Sequence, residues 1–431
     1  MIAIDVTNTN TTLSTLTNSG TITGETTTSS HYNGKGVNIG ANASMGSLTN
    51  SGTITGKGKQ NYGYGILMNS TNGTLSSFTN TSSGIIEGIS GEGINGGDTY
   101  GSNAYGSYIN SSDSIAATLD NDGIIRGLSD VNTGVGLHLR SKFSTIDNSG
   151  TFLGQADTSI TRGISMFNSN TGVSVTTFNN SGTISPVAGS NNAIGFETVV
   201  QDTGTINNSG TISAVAGTDT SYGLQLYAAF GDAVITNLNN SGTISASSGT
   251  TNSYGFLFAG YGDGLVTNFT NTGTISSSVG SGSNFDIYLN ARSGDHTITN
   301  LNNSQGKDGN DVLTYKGKLP TNYNVIVNST SDYGQISFDS ATGTTNFGVY
   351  NTSTLSGGTT YASVIQGIAT AKIGATRTGT LGSCSWTLQL QDGETTVWDL
   401  VVESNRTCLL YTSRAHETEA DLVCRLLLEK K

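Results

Sequence analysis

Charged residues and prolines are scarce in this sequence. Of its 431 residues, 11% are Asp, Glu, Lys or Arg, and only 2 are Pro, against 59 Gly. Soluble domains usually contain about 25% charged residues. The apolar fraction is also low, at 34%, yet the chain lacks the high net charge that typifies intrinsic disorder. The composition therefore predicts a folded chain with many turns and one narrow apolar seam.

Basic patches are absent as well. The formal net charge is −12 and the acidic residues are scattered, which argues against a nucleic-acid partner, since such partners are held by clustered Lys and Arg. No run of about 18 apolar residues is present, so no transmembrane helix is expected. The N-terminal stretch MIAIDVTNTNTTLSTLTNSG lacks the basic and apolar regions of a signal peptide. Because the repeat described below starts almost at Met1, we expect the natural beginning to be missing.

Cysteine is rare too. The three present, Cys384, Cys408 and Cys424, imply no disulfide framework. Residues 408–431, CLLYTSRAHETEADLVCRLLLEKK, contain no Gly or Asn and several Leu. This segment resembles translated sequencing adapter, and we interpret it as read-through beyond which the natural C-terminus is lost. Only Cys384 remains without it, so we expect a fold without disulfide bonds.

One eight-residue motif recurs through the first three hundred residues. It reads LTNSGTIT at 16–23 and 48–55, FNNSGTIS at 178–185, INNSGTIS at 206–213 and LNNSGTIS at 238–245. An apolar residue precedes the central asparagine by two positions, and Gly usually follows it by two. Successive copies are 27 to 41 residues apart. The ten asparagines are Asn18, Asn50, Asn80, Asn121, Asn148, Asn180, Asn208, Asn240, Asn271 and Asn303.

Each unit contains three short pieces with alternating apolar residues, and none has helical spacing. The first piece has the pattern Gly-Φ-x-Φ, where Φ is mostly apolar, as at 36–39, 136–139, 223–226 and 255–258. One unit cannot bury its apolar side chains alone, but a stack of units can. The predicted fold class is all-β: a right-handed parallel β-helix (β-solenoid) of about ten coils with a C-terminal β cap.

Stacking predicts that equivalent residues lie above one another, about 4.8 Å apart. The ten asparagines should then form a ladder of side-chain hydrogen bonds at one corner. We also expect left-handed φ there, which Asn and Gly tolerate best. The x positions of the first piece should point outward: Asn38, Tyr108, His138, Ser165, Glu197 and Gln225.

The sequence changes character after the last motif. Both tryptophans, Trp386 and Trp398, fall within one expected hairpin around Asp392-Gly393, which we interpret as closing the open end of the solenoid. Within the repeats, the longest irregular stretch, 89–113, is expected to bulge outward. The resulting division is 1–308 for the solenoid repeats, 309–407 for the solenoid end or cap, and 408–431 for the non-native segment.

The turn motifs over 16–308 and the segment 350–401, YNTSTLSGGTTYASVIQGI…WTLQLQDGETTVWDLV, resemble the passenger regions of Gram-negative autotransporters, the type V secreted surface proteins. The resemblance covers nearly all of 1–407. It implies a β-helix at the cell surface or beyond, acting in adhesion, aggregation or biofilm formation. It also implies host or neighbouring-cell surface molecules or glycans as partners, and a C-terminal β-barrel translocator in cis that, like the signal peptide, is missing here.

Catalytic signatures are weak. Stacked acids could mark a glycan-cleaving site, but the column that contains Glu87 also contains Arg126. No nucleophile or protease motif surrounds the histidines outside the last segment. No catalytic, cofactor-binding or metal-ligating residue is therefore assigned, and no cofactor is expected. The histidines concerned are His31, His138 and His296.

Several alternatives stay open. The stretch GKDGNDVLT at 306–314 partly matches a calcium-binding nonapeptide, but a single copy favours an ordinary turn. The preferred function is surface binding by extended contact, without enzyme activity. A glycan lyase or hydrolase on the same scaffold would need an acidic cluster beside a groove, and a phage tail-spike or fibre would need external apolar stripes. Six tyrosines could form a sugar-stacking stripe, although a place in or beside the core is favoured: Tyr62, Tyr64, Tyr105, Tyr108, Tyr222 and Tyr254.

Overall fold

The computed structural model describes residues 1–7, 11–26, 32–70, 73–91, 102–167, 174–199, 202–229, 232–307 and 311–404. Within these ranges most residues lie in strands, and the regular structure besides them is one short 3-10 helix at Thr370–Lys372. None of these ranges contains a helix with the length and hydropathy needed to span a bilayer. In chain order the strands are β1 Ile2–Val6, β2 Thr12–Asn18, β3 Thr21–Thr26, β4 Gly34–Ile39, β5 Ser44–Asn50, β6 Thr53–Gly58, β7 Gly63–Ser70, β8 Leu75–Asn80, β9 Ile85–Ser90, β10 Ala104–Asn121, β11 Ile124–Ser129, β12 Gly134–Asn148, β13 Thr151–Ala156, β14 Thr161–Phe167, β15 Ser174–Asn180, β16 Thr183–Ile184, β17 Val187–Ala188, β18 Ala193–Val199, β19 Asp202–Asn208, β20 Thr211–Ala216, β21 Ser221–Ala228, β22 Ala233–Asn240, β23 Thr243–Ser248, β24 Asn252–Gly260, β25 Gly264–Asn271, β26 Thr274–Val279, β27 Ser283–Ala291, β28 His296–Asn303, β29 Leu313–Lys318, β30 Asn322–Val325, β31 Ile336–Thr342, β32 Asn346–Val349, β33 Thr360–Gln366, β34 Thr378–Leu381, β35 Cys384–Leu390 and β36 Trp398–Val402.

Successive units stack strand on strand in parallel. β1 pairs with β4, β2 with β5 and β3 with β6, and the register sets Leu16 beside Leu48 and Ile22 beside Ile54. The same pairing continues along the chain in two sheets. The protein is therefore a parallel β-solenoid of about 10 turns, which confirms the predicted all-β solenoid.

One apolar core runs through the stack. The buried apolar side chains form one main cluster that extends from Val6 to Val402, and four alanines form a second, small cluster. The main cluster includes the apolar residue two positions before every ladder asparagine except Asn18, such as Phe78, Phe178 and Leu238, all at most 1% exposed. Since burying one such side chain contributes roughly 1.5–3 kcal/mol, the repeated motif supplies much of the driving force for stacking.

Glycine at the start of the Gly-Φ-x-Φ pattern is required by close packing. A Cβ on Gly65, Gly106 or Gly136 would lie 2.6 Å from the carbonyl oxygen of the equivalent residue in the next coil. That is closer than real side chains approach a backbone, so larger residues would force the coils apart. In the coil of β27 this position is occupied by Asp286 instead, where the column of glycines ends.

The C-terminal region combines parallel and antiparallel pairing. Parallel pairing continues past residue 308 through β29, β31 and β33, whereas β33 to β36 pair antiparallel. The expected hairpin is formed by β35 and β36, with Trp386 opposite Val402 and Trp398 opposite Leu390. Cys384 in this hairpin is disulfide-bonded. The other two cysteines belong to 408–431, which lies outside the described residues, so the prediction of a chain without disulfide bonds when that segment is set aside stays a prediction.

Candidate functional site

The ten repeated asparagines form one buried column. In each of nine steps the Nδ2 of one asparagine donates a hydrogen bond of 2.7–3.1 Å to the Oδ1 of the asparagine in the next coil. All ten are at most 6% exposed, and buried amides need such partners. The column runs from Asn18 to Asn303 and holds the corner of every coil.

Backbone strain does not explain this corner. Among the described residues, positive φ occurs outside Gly only at Asn42, Ser340 and Ser363, so the prediction of left-handed φ at the motif is wrong. The glycine two residues after the asparagine is instead required by space. A Cβ on Gly182 or Gly210 would collide with the carbonyl oxygen of the equivalent glycine in the preceding coil.

The outer side of the first strand of each coil carries two neighbouring columns of side chains, here called the paired columns. The first column comes one residue before the glycine of the Gly-Φ-x-Φ pattern, and the second comes two residues after it. Most members of both columns are half-buried or buried. The x positions named from the sequence belong to the second column, as the register requires. The first column is Lys35, Tyr64, Tyr105, Val135, Arg162, Ile194, Tyr222, Tyr254 and Phe285. The second is Asn38, Leu67, Tyr108, His138, Ser165, Glu197, Gln225, Leu257, Tyr288, Lys316 and Asp339.

Aromatic rings fill the N-terminal part of the paired columns. Tyr64 and Tyr105 stack with centroids 5.3 Å apart and planes at 7°. Tyr108 lies edge-on to Tyr105 at 5.2 Å and stacks with His138 at 4.8 Å. Tyr62 extends the stack beyond Tyr64, at 5.8 Å. These rings lie outside the main core cluster and pack on one another, so they flank the core.

Charged groups lie at the centre of the paired columns. Arg162 Nε donates to Glu197 Oε2 at 2.5 Å, and Ser165 Oγ donates to the same oxygen at 2.9 Å. Glu197 is only 7% exposed, and a buried carboxylate of this kind needs both partners. Burial, followed by the positive charges of Arg162 and Arg140, lowers the pKa of the adjacent His138 to about 3. The imidazole is therefore neutral at physiological pH.

A second aromatic group fills the C-terminal part. Tyr254 lies 6.0 Å from Tyr222 and 5.1 Å from Tyr288. Burial, followed by the neighbouring Tyr288 and Tyr222, raises the pKa of Tyr254 to about 12. Lys316 Nζ lies 4.7 Å above the ring of Phe285 and 5.8 Å above that of Tyr288. The paired columns thus present two aromatic groups separated by an ion pair, with a cation at one end.

A different face carries an acidic cluster. Asp120 and Asp147 are register partners on adjacent coils, and both line a shallow pocket with Asp122, Asn179 and other polar residues. Burial, then the charges of Asp122 and Asp147, raises the pKa of Asp120. Asn179 Nδ2 donates to Asp147 Oδ1 at 2.7 Å. Adjacent carboxylates with a perturbed pKa are a feature of acid–base sites.

The other sequence candidates are placed separately. Arg126 and Glu87 share a column as predicted and form an ion pair at 2.6 Å. His296 is buried, at 1% exposure, and its ring stacks on Phe258 at 4.5 Å. The described ranges contain no group of three or more His, Cys, Asp or Glu able to hold a metal ion. Parts of several expectations lie outside the described residues: His31, 92–101 of the expected bulge, 308–310 of the nonapeptide, and 408–431.

No family model, curated protein or solved structure matches this chain. The geometry of the faces is therefore the basis for any functional conclusion. The paired columns were visible in the sequence only as x positions, because the residue before each glycine varies in type. The Asp120 and Asp147 pair was missed, although both residues directly precede a ladder asparagine and would have been found by aligning that position.

Proposed function

We propose that this chain is the β-helical passenger of a secreted or surface-displayed protein and that it binds by extended contact along the paired columns. The supporting observation is the continuous run of aromatic and charged side chains over successive coils of one face. Tyrosine and arginine are the residues that most often dominate binding surfaces. A rod that repeats one coil suits a partner that is itself long, such as a glycan or a neighbouring cell-surface protein.

Display on a non-adherent cell tests this proposal. Tyr62 extends the N-terminal aromatic group and Tyr288 belongs to the C-terminal one. The double variant Tyr62→Ser, Tyr288→Ser should lower attachment or aggregation by about tenfold or more. The matched control is Val187→Ser, Val215→Ser, which changes two exposed apolar residues, 42% and 41% accessible, on the other sheet. Equal attachment by all three displayed proteins, or none by the parent, would count against the proposal.

The acidic cluster supports a second candidate, a glycan lyase or hydrolase on the same scaffold. Stacked neighbours in a parallel sheet lie about 4.8 Å apart, close to the roughly 5–5.5 Å between the carboxyls of retaining glycosidases. Release of reducing ends from acidic and neutral polysaccharides would test it. Activity lost in Asp120→Asn and Asp147→Asn but kept in the exposed control Asp157→Asn would favour this function, and no release by the parent would remove it.

A further inference from the structure

A cavity of about 330 Å³ lies at the C-terminal end of the paired columns. Three successive coils line it, because β27, β29 and β31 pair in turn. Small-molecule sites usually have volumes of about 300–1,000 Å³, so the cavity has room for one sugar unit. Its main polar and aromatic lining residues are Tyr288, Asn290, Asp295, Lys316, Lys318 and Ser340.

The cavity exists because the backbone separates at this point. β24 pairs with β27 as far as Ala291, whereas β27 pairs with β29 only at Ile287 and Tyr288. Leu289 and Asn290 therefore have a strand neighbour on one side only, while the equivalent residues of β24 have one on each side. The missing neighbour leaves the space beside these two residues open.

A bulge shapes the opposite wall. The register of β29 against β31 shifts between Lys316 and Lys318, and positive φ occurs at Gly317 and Ser340, at 113° and 50°. A Cβ on Gly317 would lie 2.4 Å from Leu289 O. Positive φ at a residue other than glycine costs free energy, and residues in such conformations cluster at ligand sites. The bulge therefore holds Ser340 on the cavity wall at a cost in stability.

Lys316 brings a cation that is not held by hydrogen bonds. Its Nζ lies 4.7 Å above the ring of Phe285 and 5.8 Å above that of Tyr288. The carboxylate oxygen it approaches, Asp339 Oδ2, is 3.5 Å away. Within the described ranges this ammonium donates no hydrogen bond. All three of its N–H groups are therefore available to a ligand.

The second cation of the cavity is already engaged. Lys318 Nζ donates to Asp295 Oδ1 at 2.7 Å and to Thr297 Oγ1 at 3.0 Å. With Lys316 and Asp339, the cavity and its rim carry two ammonium groups and two carboxylates. One available cation in a balanced site suits a group with a single negative charge. A phosphate group, with about −1.5 to −2 at pH 7, fits this balance less well.

Neutral groups complete the lining. The side-chain amide of Asn290 has no hydrogen-bond partner among the residues that the structure describes, and an amide can both donate and accept. The hydroxyl of Ser340 and the ring of Tyr288 lie on the same cavity. An amide and a hydroxyl match the hydroxyl groups of a sugar, and an aromatic ring matches its C–H face.

We propose that this cavity binds one carboxylate-bearing sugar unit of a surface glycan, an inference that rests on the proposed function of the paired columns. Lys316 Nζ contacts the sugar carboxylate through charge-assisted hydrogen bonds. Asn290 and Ser340 bind ring hydroxyls, and Tyr288 provides the apolar contact. The remaining units of the glycan extend along the paired columns.

Binding of the intact chain to printed oligosaccharides tests the proposal. The panel contains uronate- and sialate-bearing oligosaccharides, each printed beside its methyl ester. The parent should bind at least one acidic member about tenfold or more tightly than the corresponding ester. Lys316→Met removes the charge, keeps an apolar stem over the rings and should lose this preference. Asn290→Ala should weaken the acid and the ester alike.

The matched control is Lys142→Met, which removes the same charge at an exposed position of β12 and should bind as the parent does. Equal binding of acids and esters by the parent, no binding to any acidic member, or a preference kept in Lys316→Met would overturn the proposal. Cell attachment that depends on Tyr62 and Tyr288 but not on Lys316 would leave the proposed function standing while this inference fails. No attachment by the parent would remove both.

Discussion

The first and last coils of the described repeat differ in the side chains that contact their outer strand edges. At the C-terminal end, Gln305 Nε2 donates to Ile275 O at 2.9 Å, and its Oε1 accepts from Ile275 N at 2.7 Å and from Asn271 Nδ2 at 3.1 Å. One side-chain amide thus replaces the backbone and ladder contacts of a further coil. At the N-terminal end, no side chain within the described residues plays this part for β1, β2 or β3.

Asp286 has a similar role at another corner. It stands where earlier coils have glycine, and its Oδ2 accepts the backbone N–H of Thr314 at 2.9 Å while its Oδ1 accepts Ser277 Oγ at 3.0 Å. Burial raises its pKa, and these hydrogen bonds oppose that rise. The comparison teaches that ending a stack takes specific side chains, whereas continuing it takes only the repeat.

Core truncations should show the largest contrast between the ends. Trp398 is 1% exposed, and its Nε1 donates to Ile368 O at 2.9 Å, so Trp398→Ala should lower the free energy of unfolding by about 3–5 kcal/mol. Leu16→Ala removes a half-buried side chain and should cost only about 1 kcal/mol. Urea unfolding followed by far-ultraviolet circular dichroism measures both. Similar losses at the two positions would contradict the contrast.

Removal of the Gln305 amide should have the next largest effect. Gln305→Leu takes these partners away from the buried Ile275 N–H and C=O and removes one of the two acceptors of the Asn271 amide, so a loss of about 2–3 kcal/mol is expected. The control Gln389→Leu, at an exposed position of β35, should change stability by less than about 0.5 kcal/mol. Amide exchange at Ile275 reports the local opening directly, and unchanged exchange there would refute the assignment.

Glycine substitutions compare the first two coils directly. A Cβ on Gly52 would collide with the carbonyl oxygen of Gly20, whereas a Cβ on Gly20 meets nothing within 4 Å. Gly52→Ala should therefore cost about 1–3 kcal/mol through overpacking. Gly20→Ala should be neutral or stabilise by up to about 1 kcal/mol, because it restricts the unfolded chain. Thermal unfolding of the two single variants provides the measurement, and equal losses in Gly20→Ala and Gly52→Ala would contradict the close-packing argument.

Acid should weaken the C-terminal end slightly. Burial lowers the pKa of His296, and the backbone groups of Gly262 and Phe258 together with the charges of Asp295 and Asp263 oppose only part of this fall. The unfolded state takes up a proton near pH 6.5 and the folded state does not, so stability should fall as the pH drops below about 6.5. His296→Phe keeps the ring against Phe258 and should flatten this dependence between pH 6.5 and 5.5. Parallel pH profiles for parent and variant would exclude His296 as the cause.

Repetition decided how much the sequence could predict. The asparagine column, the apolar positions and the shared column of Glu87 and Arg126 recur or align by spacing, so they could be located without a structure. Gln305 and Asp286 could not, because each is a single departure from the pattern and its role depends on backbone atoms of another coil. The paired columns lay between these cases, since their positions were predictable and their mutual packing was not.

The near-identity of the coil interfaces has a consequence for inheritance. Residues 16–23 and 48–55 are the same eight amino acids, so unequal recombination between their coding repeats would delete one repeat of 32 residues, the separation of Asn18 and Asn50, and leave the reading frame intact. The shortened chain would place Asn18 against Asn80 with every column still in register. A lineage could thus lengthen or shorten the rod one layer at a time, while the closing segment and the character of the outer faces are kept.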